Sequence, residues 1–209
     1  MNLLGGVIVL GVIVVSMALH ELAHGYVAYL LGDTTAKEDG RLTLNPLQHL
    51  DPVMSVILPM ISFFLGGVVF GGAKPVPVNS RRLRGGVWGM ALVALAGPLT
   101  NFLIALVALA LGTKVPALSY GWSAQVLSQF VVVNLGFGVF NLIPIPPLDG
   151  SRVLYALMPD GVRELMDRME GAGIAIIYIL ILLGGGIFTS MMTGAIAKVL
   201  ELFYWILGV

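Results

Sequence analysis

Residues 3–31 read LLGGVIVLGVIVVSMALHELAHGYVAYLL. Apart from one short polar insertion this is an apolar run longer than the roughly 20 residues a helix needs to cross the hydrocarbon of a bilayer. The insertion, His20-Glu21-Leu22-Ala23-His24, is an H-E-x-x-H pattern that puts three ionisable side chains into five positions of an apolar helix. In lipid such groups are costly unless paired or bound to metal. Four residues advance a helix by slightly more than one turn, so both imidazoles project from one face. There they can bind one Zn²⁺, with Glu21 alongside to activate water. Shuffling the histidines and glutamates would produce this pattern in only about one chain in a thousand. The run is expected to be a retained first helix, because it has no basic leader or small-residue cleavage site and outlasts a signal-peptide core.

The rest of the chain has the same character. Of 209 residues, 58% are hydrophobic and 11% charged, and the mean hydropathy is +0.98. Soluble domains carry about a quarter charged residues, so an all-α polytopic membrane protein is expected. Further apolar runs cover residues 53–70, 87–111 and 126–143. Another, 173–207, is interrupted by Gly184, Gly185 and Gly186, either as a turn between two helices or as a kink in one. This predicts five to six membrane-embedded elements. Eleven basic residues balance eleven acidic ones, leaving no basic stripe for a nucleic acid. With no cysteine, any metal must be held by His, Asp or Glu.

Between the apolar runs, residues 40–47 alternate apolar and polar side chains, and residues 73–79 are kept extended by their prolines. Within the wider stretches 33–50 and 73–80 they predict a small membrane-associated β element. Residues 161–170 alternate charges with apolar positions, so the segment 145–170 is expected to lie at the membrane interface.

A catalytic zinc takes three protein ligands. The candidates for the third are Asp149, Asp33, His49 and Asp51. Asp33 and Asp51 sit in turn contexts and His49 among turn residues, whereas Asp149 closes a proline-rich stretch of irregular backbone of the kind that lines membrane sites. Asp149 is favoured, with His49 the rival.

These residues resemble a known family, the site-2 proteases, which cut substrates within the membrane. The resemblance rests on His20, Glu21 and His24, on Gly97-Pro98-Leu99-Thr100-Asn101, and on residues 141–150, NLIPIPPLDG. Residues 40–46, GRLTLNP, and 74–79, KPVPVN, are similar to its compact prokaryotic branch. It implies that His20, His24 and Asp149 hold one Zn²⁺ per chain, that Glu21 is the catalytic base, and that Asn141 lies near the substrate or oxyanion. It also implies transmembrane proteins as substrates, a multi-pass location in the inner (plasma) membrane, and a single domain over residues 1–209. A homo-oligomer is compatible with it.

Joining Asp149 to the first helix constrains topology, because three full crossings between them would put them on opposite faces. A re-entrant segment at residues 53–70, permitted by Pro59 and the Gly66-Gly67 pair, removes the conflict. It leaves nine Lys and Arg in the connections on the catalytic side and only Lys114 opposite. By the positive-inside rule the site then lies nearer the cytoplasmic face. Residues 40–46 and 74–79 are candidate edges to receive an unwound substrate as an added strand. Asn101 is either an interhelical hydrogen-bonding group or part of the site. The competing reading is a zinc transporter or a metal-binding membrane protein without protease activity. Transport generally needs polar groups along a path rather than gathered at one depth.

Overall fold

Unbroken apolar runs become long helices in lipid because only hydrogen bonds inside the segment satisfy their backbone. The computed structural model describes residues 3–49 and 74–209. In them four helices are long and apolar enough to cross a membrane: Gly5–Leu30, Gly86–Lys114, Gly121–Asn141 and Gly184–Leu207. The chain runs through α1 (Leu3–Leu30), a single turn α2 (Thr35–Glu38), a 3₁₀ turn (Pro46–His49), α3 (Gly86–Lys114), α4 (Gly121–Asn141), α5 (Asp149–Leu157), α6 (Asp160–Glu170) and α7 (Gly173–Leu207). The protein is an all-α, multi-pass helical bundle.

α3 is the centre of the bundle, packed against α1, α4 and α5, while α4 also touches α1 and α7. Small residues make these approaches close, as is usual between membrane helices. Ala105 and Ala108 of α3 meet Val131 and Leu135 of α4 and Phe203 of α7, and Ala28 of α1 packs with Val93 of α3.

α7 runs without a break through Gly184, Gly185 and Gly186. Three glycines weaken a helix, but no proline accompanies them, and leaving the helix in lipid would strand peptide groups. Residues 173–207 are therefore one helical element rather than two.

The expected β element is not found among the described residues. Residues 33–49 hold α2, bends and the 3₁₀ turn, and residues 74–79 form neither a helix nor a paired strand. The reason is where the backbone donors go. Pro75 and Pro77 have none, the Val76 N–H donates to Glu21 Oε2 at 2.9 Å, and the Asn79 N–H donates to Asp33 Oδ2 at 2.6 Å. Side-chain carboxylates take the place of a neighbouring strand. In the other segment Gly40 has φ +66°, and the Asn45 N–H is held by Thr43 Oγ1, which bends the chain.

The predicted re-entrant segment 53–70 lies outside the described residues, and the chain on either side of it is tied to the bundle. The Arg84 N–H donates to the Leu31 carbonyl at 2.9 Å, joining the end of α1 to the start of α3. The buried Arg41 guanidinium donates to the Lys74 carbonyl at 2.9 Å and to that of Gln48. The chain on either side of residues 50–73 thus sits at one end of the bundle. The end of α4 and the start of α5 share that end, and the α3–α4 turn carrying Lys114 lies at the other. The segment 145–170 forms α5 and α6. Leu165 and Met169 are exposed on α6, and an Arg152–Glu170 ion pair spans the two helices.

Candidate metal centre

α1 brings His20 and His24 onto its α3-facing side, one helical turn apart, and both are more than nine-tenths buried. Asp149 opens α5, which α3 supports from behind. The stretch before it cannot stay helical through Pro144, Pro146 and Pro147, and the next residue is Gly150. A side chain at Gly150 would strike the Leu142 carbonyl, its Cβ at 2.1 Å, so only glycine lets the turn close and aim Asp149 at α1.

The three side chains converge. His20 Nε2 and His24 Nε2 are 2.9 Å apart, and Asp149 Oδ2 is 3.2 Å from the first and 3.4 Å from the second. Among the described residues no other group of three or more His, Asp or Glu side chains could hold a metal ion. The far side of each ring is occupied: His24 Nδ1–H donates to the Val93 carbonyl at 2.7 Å, and His20 Nδ1–H donates to Asn101 Oδ1 at 2.6 Å. Each neutral imidazole has one N–H, so both Nε2 atoms present lone pairs. Asp149 Oδ2, also a lone-pair atom, is buried without a hydrogen-bond partner. Three lone-pair atoms facing one another at about 3 Å repel unless a cation lies among them. A tetrahedral zinc with bonds of about 2.0 Å spaces its ligands about 3.3 Å apart, and these residues fit it.

Gly97 makes room for the cluster. A Cβ there would lie 2.4 Å from His24 Nε2 and 2.5 Å from His20 Cε1, so α3 approaches the two rings as closely as a bare backbone permits. Glu21 follows His20 on α1, and its carboxylate is anchored by the Val76 N–H.

The other candidates are not among the three converging side chains. Asn141 ends α4, and its Nδ2 donates to the Phe137 carbonyl at 3.1 Å, within its own helix. Asp33 is fully buried but takes no part in the cluster. Its Oδ1 accepts from the Thr35 N–H at 3.0 Å and from the Thr35 hydroxyl, and its Oδ2 accepts from Asn79. Burial pushes the Asp33 carboxyl up, but those hydrogen bonds and the Arg82 charge outweigh it and hold its pKa below the ordinary 3.8. Asp51 and the His49 side chain lie outside the described residues. Sequence reasoning missed four participants: Gly97, the Val93 carbonyl, the Val76 amide and Asn134, which donates to Ser16 and accepts from Asn101. Gly97 had a signal, since it opens the quoted Gly-Pro-Leu-Thr-Asn run. Main-chain groups have none.

Comparison with known proteins agrees with this geometry. Peptidase family M50 matches residues 115–184. The chain is 37% identical over 200 residues to "Putative zinc metalloprotease YwhC" of Bacillus subtilis (strain 168), covering 91% of this chain and 88% of the relative. It is 34% identical over 170 residues to "Putative zinc metalloprotease Rip2" of Mycolicibacterium smegmatis, covering 79% of this chain and 63% of the relative. It is 29% identical over 169 residues to "Zinc metalloprotease MJ0392" of Methanocaldococcus jannaschii, covering 81% of this chain and 40% of the relative. No solved structure matches the chain significantly.

Proposed function

The chain belongs to peptidase family M50, the site-2 proteases, and from that premise we propose that it is an intramembrane zinc metalloendopeptidase. It hydrolyses peptide bonds in or near the transmembrane segments of membrane-protein substrates. The observation that carries this reading is the convergence of three lone-pair atoms, from His20, His24 and Asp149, inside a bundle of membrane helices.

His20, His24 and Asp149 hold one Zn²⁺ per chain. Bound there, the ion lowers the pKa of water and polarises the scissile carbonyl. The protein's own groups do the rest. Glu21 takes the proton from water and delivers it to the leaving amine, and the Val76 N–H keeps its carboxylate in place between the two transfers. Asn141, eight residues before Asp149, keeps a second amide hydrogen beyond the one given to Phe137 and supplies it to the developing oxyanion. Residues 74–79 have backbone groups bound to Glu21, Arg41 and Asp33, and their remaining carbonyls receive the unwound substrate strand.

We further take residues 1–209 as one domain, with the chain on either side of residues 50–73 held at one end of the bundle. Support comes from the flanking ties between Leu31 and Arg84 and between Arg41 and Lys74. The site then faces the cytoplasmic side of the inner membrane, since nine basic residues lie in the connections at its end and one opposite. The zero net charge supports no nucleic-acid partner, and the broad exposed face of α7 is where lipid or a second copy of the chain lies.

The test is metal analysis of detergent-purified wild type, Glu21→Gln and Asp149→Ala, with cleavage of a single-span substrate measured in parallel. Glu21→Gln should retain stoichiometric zinc and lose cleavage, and Asp149→Ala should lose both. Cleavage surviving in Glu21→Gln would refute the mechanism, and a wild type that holds no zinc would refute the function. Retained zinc flux with no cleavage in wild type would favour a transporter.

A further inference from the structure

We propose that Asn101 and Asn134 form a polarised relay that fixes which nitrogen of His20 carries its hydrogen. The relay takes its direction from one backbone carbonyl, that of Phe130. The inference rests on the zinc reading above and concerns how this chain prepares a ligand.

Ser16 of α1, Asn101 of α3 and Asn134 of α4 are each completely buried. The direction of the chain between them follows from its fixed end. Asn134 has one amide atom 2.9 Å from the Phe130 carbonyl and 2.8 Å from Ser16 Oγ. A carbonyl oxygen only accepts, so the Asn134 NH₂ faces it. Asn134 Oδ1 is then the atom turned to Asn101, 2.8 Å away, and must be met by the Asn101 NH₂. Asn101 Oδ1 is left pointing at His20 Nδ1, at 2.6 Å, where it can only accept. His20 must therefore carry its hydrogen on Nδ1 and offer a lone pair at Nε2, toward His24 and Asp149. Reversing any one member sets two acceptors or two donors face to face among fully buried groups, which costs the desolvation of both.

The same end is reached by His24 in one step, since its Nδ1–H donates directly to the Val93 carbonyl. Both imidazoles are thus referred to a main-chain carbonyl, one directly and the other through two side-chain amides. Asn101 and Asn134 are positioning residues in this sense. Plain helix-to-helix adhesion among α1, α3 and α4 would require hydrogen bonds but no particular direction, and would not need to end on a ligand.

The test uses full-length, zinc-loaded protein in detergent, labelled with ¹⁵N-histidine. In wild type the Nδ1–H groups of both His20 and His24 should be protected from exchange with water. In Asn134→Leu, the His20 signal should lose its protection while the His24 signal stays as in wild type. Zinc affinity, measured by chelator competition, should weaken about tenfold, at the low end for groups that orient metal-bound histidines. Ser16→Ala should leave the His20 signal protected, because the Phe130 carbonyl still orients Asn134. A wild-type His20 Nδ1–H that exchanges freely would overturn the relay. So would an Asn134→Leu variant whose two histidine signals behave alike and whose zinc affinity stays within about threefold of wild type. Asn134→Ala replaces it if the leucine variant does not fold, and the wild-type measurement needs no variant at all. Wild-type protein that binds no zinc would refute the underlying function instead, so the two failures are distinguishable.

Discussion

Adding one methyl group at Gly97 should empty the metal centre while leaving its helix intact. The Cβ of Gly97→Ala would lie 2.4 Å from His24 Nε2, 2.5 Å from His20 Cε1 and 2.6 Å from His20 Nε2. Non-bonded atoms of this kind rest about 3.5 Å apart, so both rings must retreat by about 1 Å. Neither is free to do so, since His24 is tied to Val93 and His20 to Asn101 through the opposite nitrogens. Metal–ligand distances tolerate only about 0.2 Å of error. Overpacking costs about 1–3 kcal/mol, and disturbing the partners that orient the ligands costs a further factor of about 10–100 in affinity. Together these give roughly 3–5 kcal/mol, or a hundredfold to a few thousandfold weaker zinc binding. Helix propensity acts the other way, because alanine is favoured over glycine by about 1 kcal/mol. The assay is competition between purified protein and a zinc chelator, with far-ultraviolet circular dichroism as the control for helix content. A Gly97→Ala protein that holds zinc within about threefold of wild type would refute the reasoning, since the clash involves both histidine ligands at once.

Arg41→Met should free residues 74–79 from their tie to Arg41 and lower cleavage about tenfold or more with zinc content unchanged, as metal analysis and substrate cleavage together would reveal. Asp33→Asn puts an NH₂ in place of one carboxylate oxygen, opposite a backbone N–H that now donates to it, and should cost about 1–3 kcal/mol at neutral pH. Because the folded protein holds the Asp33 carboxyl below 3.8, its contribution is complete above that pH and is lost as pH falls through the lower folded value. Thermal unfolding of the two proteins should therefore differ at pH 7 and converge toward acid, and a gap that widened in acid would contradict the assignment. Stripping zinc should lower the unfolding temperature, because a ligand present at about 1,000 times its Kd stabilises by about 4 kcal/mol, and adding zinc back should restore it. The same treatment of Asp149→Ala should change little.

What the sequence made legible was whatever depended on spacing along one helix or on the length of an apolar run. His20 and His24 share a face because four residues make about one turn, and the long helices follow from length and composition. Asp149 was accessible by a weaker route, the prolines that break the helix before it and the glycine after it. The break at Gly184, Gly185 and Gly186 could be read in two ways because local propensity opposed the demand of the lipid environment for continuous hydrogen bonding, and the latter prevailed in α7. The β element failed for a different reason. Alternation or prolines identify an extended segment, but not whether its partner is a strand, and at Val76 and Asn79 the partners are Glu21 and Asp33.

The amide groups mark the limit of reading one chain in order. Asn101, Asn134 and Asn141 are chemically identical and all lie on membrane helices, where amides commonly join neighbours. Their environments separate them: Asn141 turns back to its own helix, whereas Asn101 and Asn134 are buried in series between a histidine and a backbone carbonyl. Only the crossing of α1, α3 and α4 creates that series, and no interval along the sequence encodes it, since Ser16 and Asn134 are 118 residues apart. Its direction is of the same kind. An amide can be turned either way at little cost in water, but between a carbonyl that only accepts and a metal ligand that must keep one lone pair free, a single orientation satisfies every group.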